Sequence, residues 1–187
     1  MIYYTREAAE LPVDPRKRLS ISGLGVAIDP DLRDKIIEVA AKQNLSPSVL
    51  DVAKFILSTT RCTPLKLQKL LFYCYAYHLV MVGQRLFTEK VVAWQWGPVV
   101  SEVYEAYKHF DSLETIEEAF DAQAECPLSA RSLEVISSVL EVYGELSGMD
   151  LMQRTHSQAP WIEAWEQGKG TVLDDEIIKA YYKQFVY

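Results

Sequence analysis

LQKLLFYCYAYHLVMVGQRLFTEKVVAWQWGPVVSEVYEAY, residues Leu67 to Tyr107, opens as a helix that is apolar almost all round. Leu67, Leu70, Leu71, Cys74, His78 and Met81 follow the 3, 4, 7 spacing of one helical face. Tyr73, Tyr77 and Val80 make a second apolar face, so the spacing predicts a central helix buried on several sides. Thr63-Pro64 fits an N-cap followed by proline at the first helical position, and Gly83 suits the stop. Such an element is a scaffold and displays no catalytic group. Beyond it come an aromatic-rich extended segment, a Gly97-Pro98 hinge expected to turn the chain and start the next helix, and helical spacing from Val99 to His109.

The rest of the chain reads as more helices. Leu32, Ile36, Ile37, Val39 and Ala40 mark an amphipathic helix from Asp31 to Gln43. Ser46-Pro47 is expected to open another that runs to about Thr59. Further helices are read from Ser129 to Leu146, broken by Gly148, and from Asp150 to Thr155; Pro160 opens a brief turn, and Asp174 caps a last helix bearing Ile177, Ile178, Tyr181, Tyr182 and Phe185. Before Pro30 the pattern is broken by prolines and glycines, and Leu19 to Ile28 reads as a short hairpin or a kinked strand. The expected fold is mainly α: a compact multi-helix domain around a buried central helix, with a minor short β element.

Composition narrows the class. A chain of 187 residues buries roughly 70% of the surface its unfolded form exposes, so it needs neither disulfides nor a metal for stability. Cys62, Cys74 and Cys126 are odd in number and widely spaced, matching no disulfide framework and no zinc pattern. Reduced thiols in a cytoplasmic compartment are the expectation. The proline-broken, charged N-terminus is wrong for a secretory signal. Leu70 to Gln84, the longest uncharged run, falls short of the 18 or so residues of a membrane span. The formal net charge is −7 and unevenly spread: +1 before Cys62 and −8 from there on. Asp111, Glu114, Glu117, Glu118, Asp121 and Glu125 follow one another with no basic residue between, a field that favours basic partners over nucleic acid.

Catalytic motifs are thin. His156 lies between Thr155 and Ser157, but no G-x-S-x-G elbow supplies a nucleophile. The plainer reading is that Thr155 and His156 hydrogen-bond backbone at a helix end and fix the Pro160-Trp161 turn. His78 reads as a satisfied core histidine, and His109 as a complement to a helix dipole. Neither zinc spacings nor a phosphate loop is present, so no metal and no cofactor is expected. Asp31 to Leu57 has the outline of a helix-turn-helix, yet its second helix offers only Lys54 to phosphate, which disfavours DNA. The group of most interest is Trp94, Trp96, Tyr104 and Tyr107 around Gly97-Pro98. Alternation sets Val92, Trp94 and Trp96 on one face of the extended segment, with Ala93 and Gln95 opposite. The two tryptophans are either core residues or interface anchors.

Two separated blocks resemble one family. LQKLL-Y, LF and AW-x-x-GPV-x-x-VY, with LMQRTHSQAPWIEAW at Leu151 to Trp165 and the closing IIKAYYKQF, resemble the Panacea, or SocA-like, antitoxin domain of bacteria and their phages. The likeness spans Val49 to Phe185 and departs at Trp96, where a smaller aromatic is usual, and in the stretch before Ser46. It marks Gln68, Lys69, Tyr73, Gly97, Pro98, Thr155, His156 and Trp161 as motif positions and divides the chain into an arm, residues 1–47, and an antitoxin domain, residues 48–187. It implies a non-catalytic cytoplasmic protein that binds and neutralises a cognate toxin, one acting on RNA, nucleotides or translation and therefore basic. Trp94, Trp96, Tyr104, Tyr107, Glu114, Glu117, Glu118 and Asp121 are the residues expected to meet it. A protease adaptor that delivers its toxin for ATP-dependent degradation, and a hydrolase using His156, are the alternatives; a homo-oligomer stays open.

Overall fold

The computed structural model describes residues 47–111, 114–117 and 128–186. The readings made for the N-terminal arm, for the Asp31–Gln43 helix and for Glu118, Asp121 and Cys126 lie outside these residues. The described residues form seven α-helices and one two-stranded antiparallel sheet, in the order α1 (Val49–Thr59), α2 (Pro64–Met81), β1 (Val91–Trp94), β2 (Gly97–Val100), α3 (Ser101–Tyr107), α4 (Ala130–Tyr143), α5 (Gly148–His156), α6 (Ala159–Glu166) and α7 (Asp175–Tyr182). The fold is mainly α with a minor β element, as the periodicity predicts.

Local signals set the helix ends. The Thr63 hydroxyl accepts from Lys66 N–H ahead of Pro64, and Gly83 leaves the far end of α2 with φ +79°. Ser147 and Asp150 form a reciprocal capping box on α5, so Gly148 is the first residue of a helix and not merely the end of the one before. Asp174 Oδ1 accepts from Glu176 and Ile177 N–H at the start of α7. The start of α1 also differs from the reading: it lies at Val49, not at Pro47. Ser48 is the cap, because it has Asp51 three residues on to complete its box.

Helix α2 is the axis of the molecule. Every residue from Leu67 to Leu79 is buried, and α1, α4, α5, α7 and β2 all pack on it. A helix surrounded in this way must satisfy polar atoms on several sides. His78 does so through Gln84 C=O (2.8 Å) and Ser132 Oγ (3.1 Å). The tyrosines do so among themselves. Tyr73 stacks on Tyr143 at 4.3 Å, Tyr77 and Tyr143 share a hydroxyl hydrogen bond of 2.9 Å, and Gln158 bridges Tyr182 and Tyr73 by accepting from one phenol and donating to the other.

The hairpin departs most from expectation. Gly97 and Pro98 do not start a helix; they are the first residues of β2, and the turn falls at Gln95–Trp96. Pairing runs Val91↔Val100, Val92↔Val99, Ala93↔Pro98 and Trp94↔Gly97. Pro98 is tolerated because its position faces away from β1, where no ladder donor is required of it. The helix that follows accordingly runs from Ser101 to Tyr107 instead of from Val99 to His109.

Both edges of this hairpin are closed. Along β1, Ala93 N–H donates to Thr171 C=O, and Ala93 and Val91 C=O accept from Gly170 and Leu173 N–H. Along β2 the partners are side chains of α2. Gln68 Nε2 donates to Val100 C=O (3.2 Å), Val100 N–H donates to Gln68 Oε1 (2.9 Å), and Lys69 Nζ donates to Pro98 C=O (2.8 Å). Gln68→Ala should therefore strand a buried N–H and a buried C=O of β2 and lower unfolding free energy by about 2–4 kcal/mol. Urea unfolding checks this; a midpoint equal to that of the parent would refute the edge-closing role.

Candidate partner-binding face

Beneath the hairpin the motif residues meet. Lys69 is fully buried, and burial alone holds its amine down at about 7. Its Nζ reaches β2 at Pro98 because Gly97 leaves room: a Cβ there would lie 2.8 Å from Lys69 Nζ and 2.9 Å from Thr155 Oγ1. Gly97 also has φ +98°, which an L side chain resists. The Thr155 hydroxyl donates to Met152 C=O (2.9 Å), the helix-end role expected of it. His156 meets the Pro160-Trp161 turn by stacking its ring on Trp161 at 4.0 Å, and not through the backbone hydrogen bond expected of it. Burial, with the Lys69 charge adding to it, holds the imidazole down at about 4. Trp161 stacks in turn on Trp165, and its Nε1 donates to Trp94 C=O (3.1 Å), tying α6 to the end of β1. Gln68, Lys69, Gly97, Pro98, Thr155, His156 and Trp161 thus form one contiguous joint, with Tyr73 on the tyrosine seam beside it. The joint is structural.

On the outer side of this joint is a groove of about 460 Å³, walled by α2, the hairpin and α3. Trp94, Trp96, Tyr104 and Tyr107, read together from the sequence, all line it. Their exposures separate their roles. Trp96, at the turn, is 51% exposed and Tyr104 is 42% exposed, whereas Trp94 is half-buried and Tyr107 is buried. Trp94 packs edge-on against Tyr104 at 4.9 Å, with Lys169 Nζ over its ring at 5.7 Å. On β1 the buried side is that of Val91 and Ala93, so the Val92–Trp94 face is the one turned toward the surface.

Of the four acidic residues read as partner-binding, Glu114 and Glu117 are among the described ones. Ile116 is buried and its N–H donates to Cys62 C=O, two residues before Pro64 of the groove lining. Glu114 and Glu117, on either side of Ile116, are exposed. His109 is exposed beyond the end of α3, against Phe110.

Sequence reasoning missed Lys169, Lys108 and Phe110 as groove residues. It also missed the burial of Lys69, although the unbroken apolar run that follows it, Leu70 to Tyr77, was a usable signal. Among the described residues no three His, Cys, Asp or Glu side chains stand close enough to hold a metal, and no helix is long and apolar enough to cross a membrane.

The chain belongs to the antitoxin SocA-like, Panacea domain family, whose model matches residues 67–162. That span runs from Leu67, the residue before the Gln68-Lys69 edge closure, to Ile162, just past Trp161, so the family match contains the joint. No curated protein and no solved structure matches the chain. Membership supports an antitoxin role and suggests a non-enzymatic one.

The joint sets a pH dependence. The unfolded Lys69 amine titrates at 10.5 and the folded one at about 7, so between those values the unfolded chain holds more protons. Stability then rises with pH, by at most about 1.4 kcal/mol per pH unit for one proton. His156 acts in the same direction between about 4 and 6.5. Above 9 the slope reverses, because burial keeps the Cys62 and Cys74 thiols and several phenols protonated in the fold. The urea midpoint should therefore climb from pH 7 to 9. In Lys69→Met that climb should flatten while the acid limb stays. An unchanged climb would place its origin elsewhere.

Proposed function

We propose that this protein is the antitoxin of a bacterial or phage toxin–antitoxin pair and that it neutralises a protein toxin by direct binding through the hairpin–α3 face. One observation carries the reading. A member of an antitoxin family holds a tryptophan half in solvent, on a turn whose flanking strands are fixed along both edges. Trp and Tyr dominate interface hot spots, and an exposed tryptophan and tyrosine at the rim of one apolar groove form a patch of the kind that partners cover. Trp96 and Tyr104 are the anchors in this reading, with Trp94 and Tyr107 as their support. The acidic stretch with Glu114, Glu117, Glu118 and Asp121 steers a basic toxin toward the protein, in keeping with the net charge of −7. A toxin that works on RNA, nucleotides or translation has the matching charge. Residues 48–187 are the binding domain, and residues 1–47, with Arg16-Lys17-Arg18, are an arm that adds to recognition.

Co-expression with each neighbouring reading frame tests the class. A neighbour that kills alone and is silenced, with its level unchanged, supports the reading. ATP-dependent loss of the toxin would indicate an adaptor, and the absence of any neutralised neighbour would overturn the antitoxin role. With the toxin in hand, Trp96→Ala should weaken binding at least tenfold, about 1.4 kcal/mol or more, with an unchanged thermal melt. Replacing the four acidic residues by Gln should slow association and reduce its salt dependence, leaving dissociation nearly unaltered. Full neutralisation by the Trp96 variant would move the interface off this face.

A further inference from the structure

Two exposed lysines at the groove, Lys108 and Lys169, run against the chain's net charge of −7. Among the described residues Lys69, Lys108 and Lys169 line the groove and no aspartate or glutamate does, in a chain with 26 acidic and 19 basic residues; Lys69 is buried with its amine held down at about 7, so Lys108 and Lys169 are the cations a ligand meets. The three approach from different elements. Lys69 rises from α2 and closes the floor under Pro98. Lys169 follows α6 and lies over the Trp94 ring. Lys108 ends α3 and is paired with Glu105, an exposed residue outside the groove lining. Between the cations the walls are apolar and aromatic. The volume, about 460 Å³, is within the range of about 300–1,000 Å³ in which pockets enclose a ligand.

This combination selects. A lysine or arginine entering the groove would meet like charges beside low-dielectric walls, whereas a carboxylate would meet opposite ones. A large aromatic or aliphatic side chain would find ring faces on which to stack. Backbone pairing contributes nothing, since the outer edges of β1 and β2 are already taken. The groove therefore reads side chains.

We propose that the groove takes a short apolar segment of the toxin in which an aspartate or glutamate stands next to a large aromatic or aliphatic side chain. The proposal rests on the hairpin–α3 face being the toxin-binding face and specifies what enters its centre. The acidic stretch meets a basic body, and the groove beside Lys108 and Lys169 takes an acidic, apolar tongue projecting from it. A partner with both features is accepted, and a uniformly basic surface is not.

The probe is a random peptide library panned against the full chain, against Trp96→Ala, and against a Lys108→Glu/Lys169→Glu double variant, each first checked for a cooperative melt. The full chain should enrich peptides pairing Asp or Glu with a large apolar residue, at least about tenfold over Trp96→Ala. The double variant should shift the enrichment toward Lys and Arg. If charge reversal distorts the fold, Lys108→Gln/Lys169→Gln serves instead and should weaken the selected acidic peptides at least about tenfold. Enrichment of basic peptides, selection indifferent to the lysine changes, or no enrichment over Trp96→Ala would each overturn the proposal. Co-expression separates its failure from that of the antitoxin role. A neutralised neighbour without acidic, apolar selection refutes the groove chemistry alone; such selection without any neutralised neighbour refutes the antitoxin role alone.

Discussion

Two side chains of the central helix stand where a third strand would be. Gln68 pairs with both polar groups of Val100, and Lys69 takes the carbonyl of Pro98, so helix α2 completes the edge of β2 without contributing any backbone to the sheet. Much else follows from that substitution. The lysine must be buried to reach the strand, which requires a residue without Cβ at Gly97. The strand must lie close to α5, which brings Thr155 into the same contact. A two-stranded hairpin is marginal alone in water. Here it is held by a buried helix on one edge and by residues 170–173 on the other.

The cost of this arrangement is electrostatic. An amine in a fully buried site loses its hydration, and the lone carbonyl at 2.8 Å returns only part of it. The protein resolves the conflict by letting the amine neutralise near pH 7. A neutral amine still donates to Pro98, so the joint keeps its geometry whichever form is present. His156 obeys the same rule from the other side, with its charged form disfavoured by burial and by its cationic neighbour. The tyrosine seam avoids the problem, since its phenols are neutral and satisfy one another.

Much of the scaffold was legible because its signals are local. Thr63-Pro64, Ser129 and Asp174 announce helix starts, and the apolar-all-round α2 announces its own burial. All but one of the failures share one cause. Gly97-Pro98 resembles a helix-opening hinge in sequence, and only the far side of the molecule decides otherwise: Lys69 and Thr155 crowd Gly97 into a strand that pairs with β1. Ser46-Pro47 lost to Ser48 because the latter has Asp51 to complete its box. In the site, the aromatic group at residues 94–107 was legible as a cluster, since a short hairpin and a helix keep near neighbours together. Lys169 was not, because it reaches Trp94 only once α6 has folded back along the hairpin. Long-range juxtaposition of this kind leaves no period to read.

Closure of both hairpin edges also limits how this face can work. Strand addition, the commonest way for a sheet to capture an extended peptide, needs free N–H and C=O groups along an edge. On this hairpin those groups are spent on Gln68, Lys69 and residues 170–173. Affinity must then come from side chains displayed on a frame that is already ordered, which lowers the entropy lost on binding. Trp96 fits that demand: its backbone lies in the turn of a hairpin fixed on both sides, while its ring extends into solvent. Backbone contacts are indifferent to sequence, but side-chain contacts can be exchanged by substitution at a few exposed positions without touching the joint. On the proposed reading, substitutions at Trp96, Tyr104 and their neighbours would change the partner, so long as Gln68, Lys69 and Gly97 keep the hairpin in place.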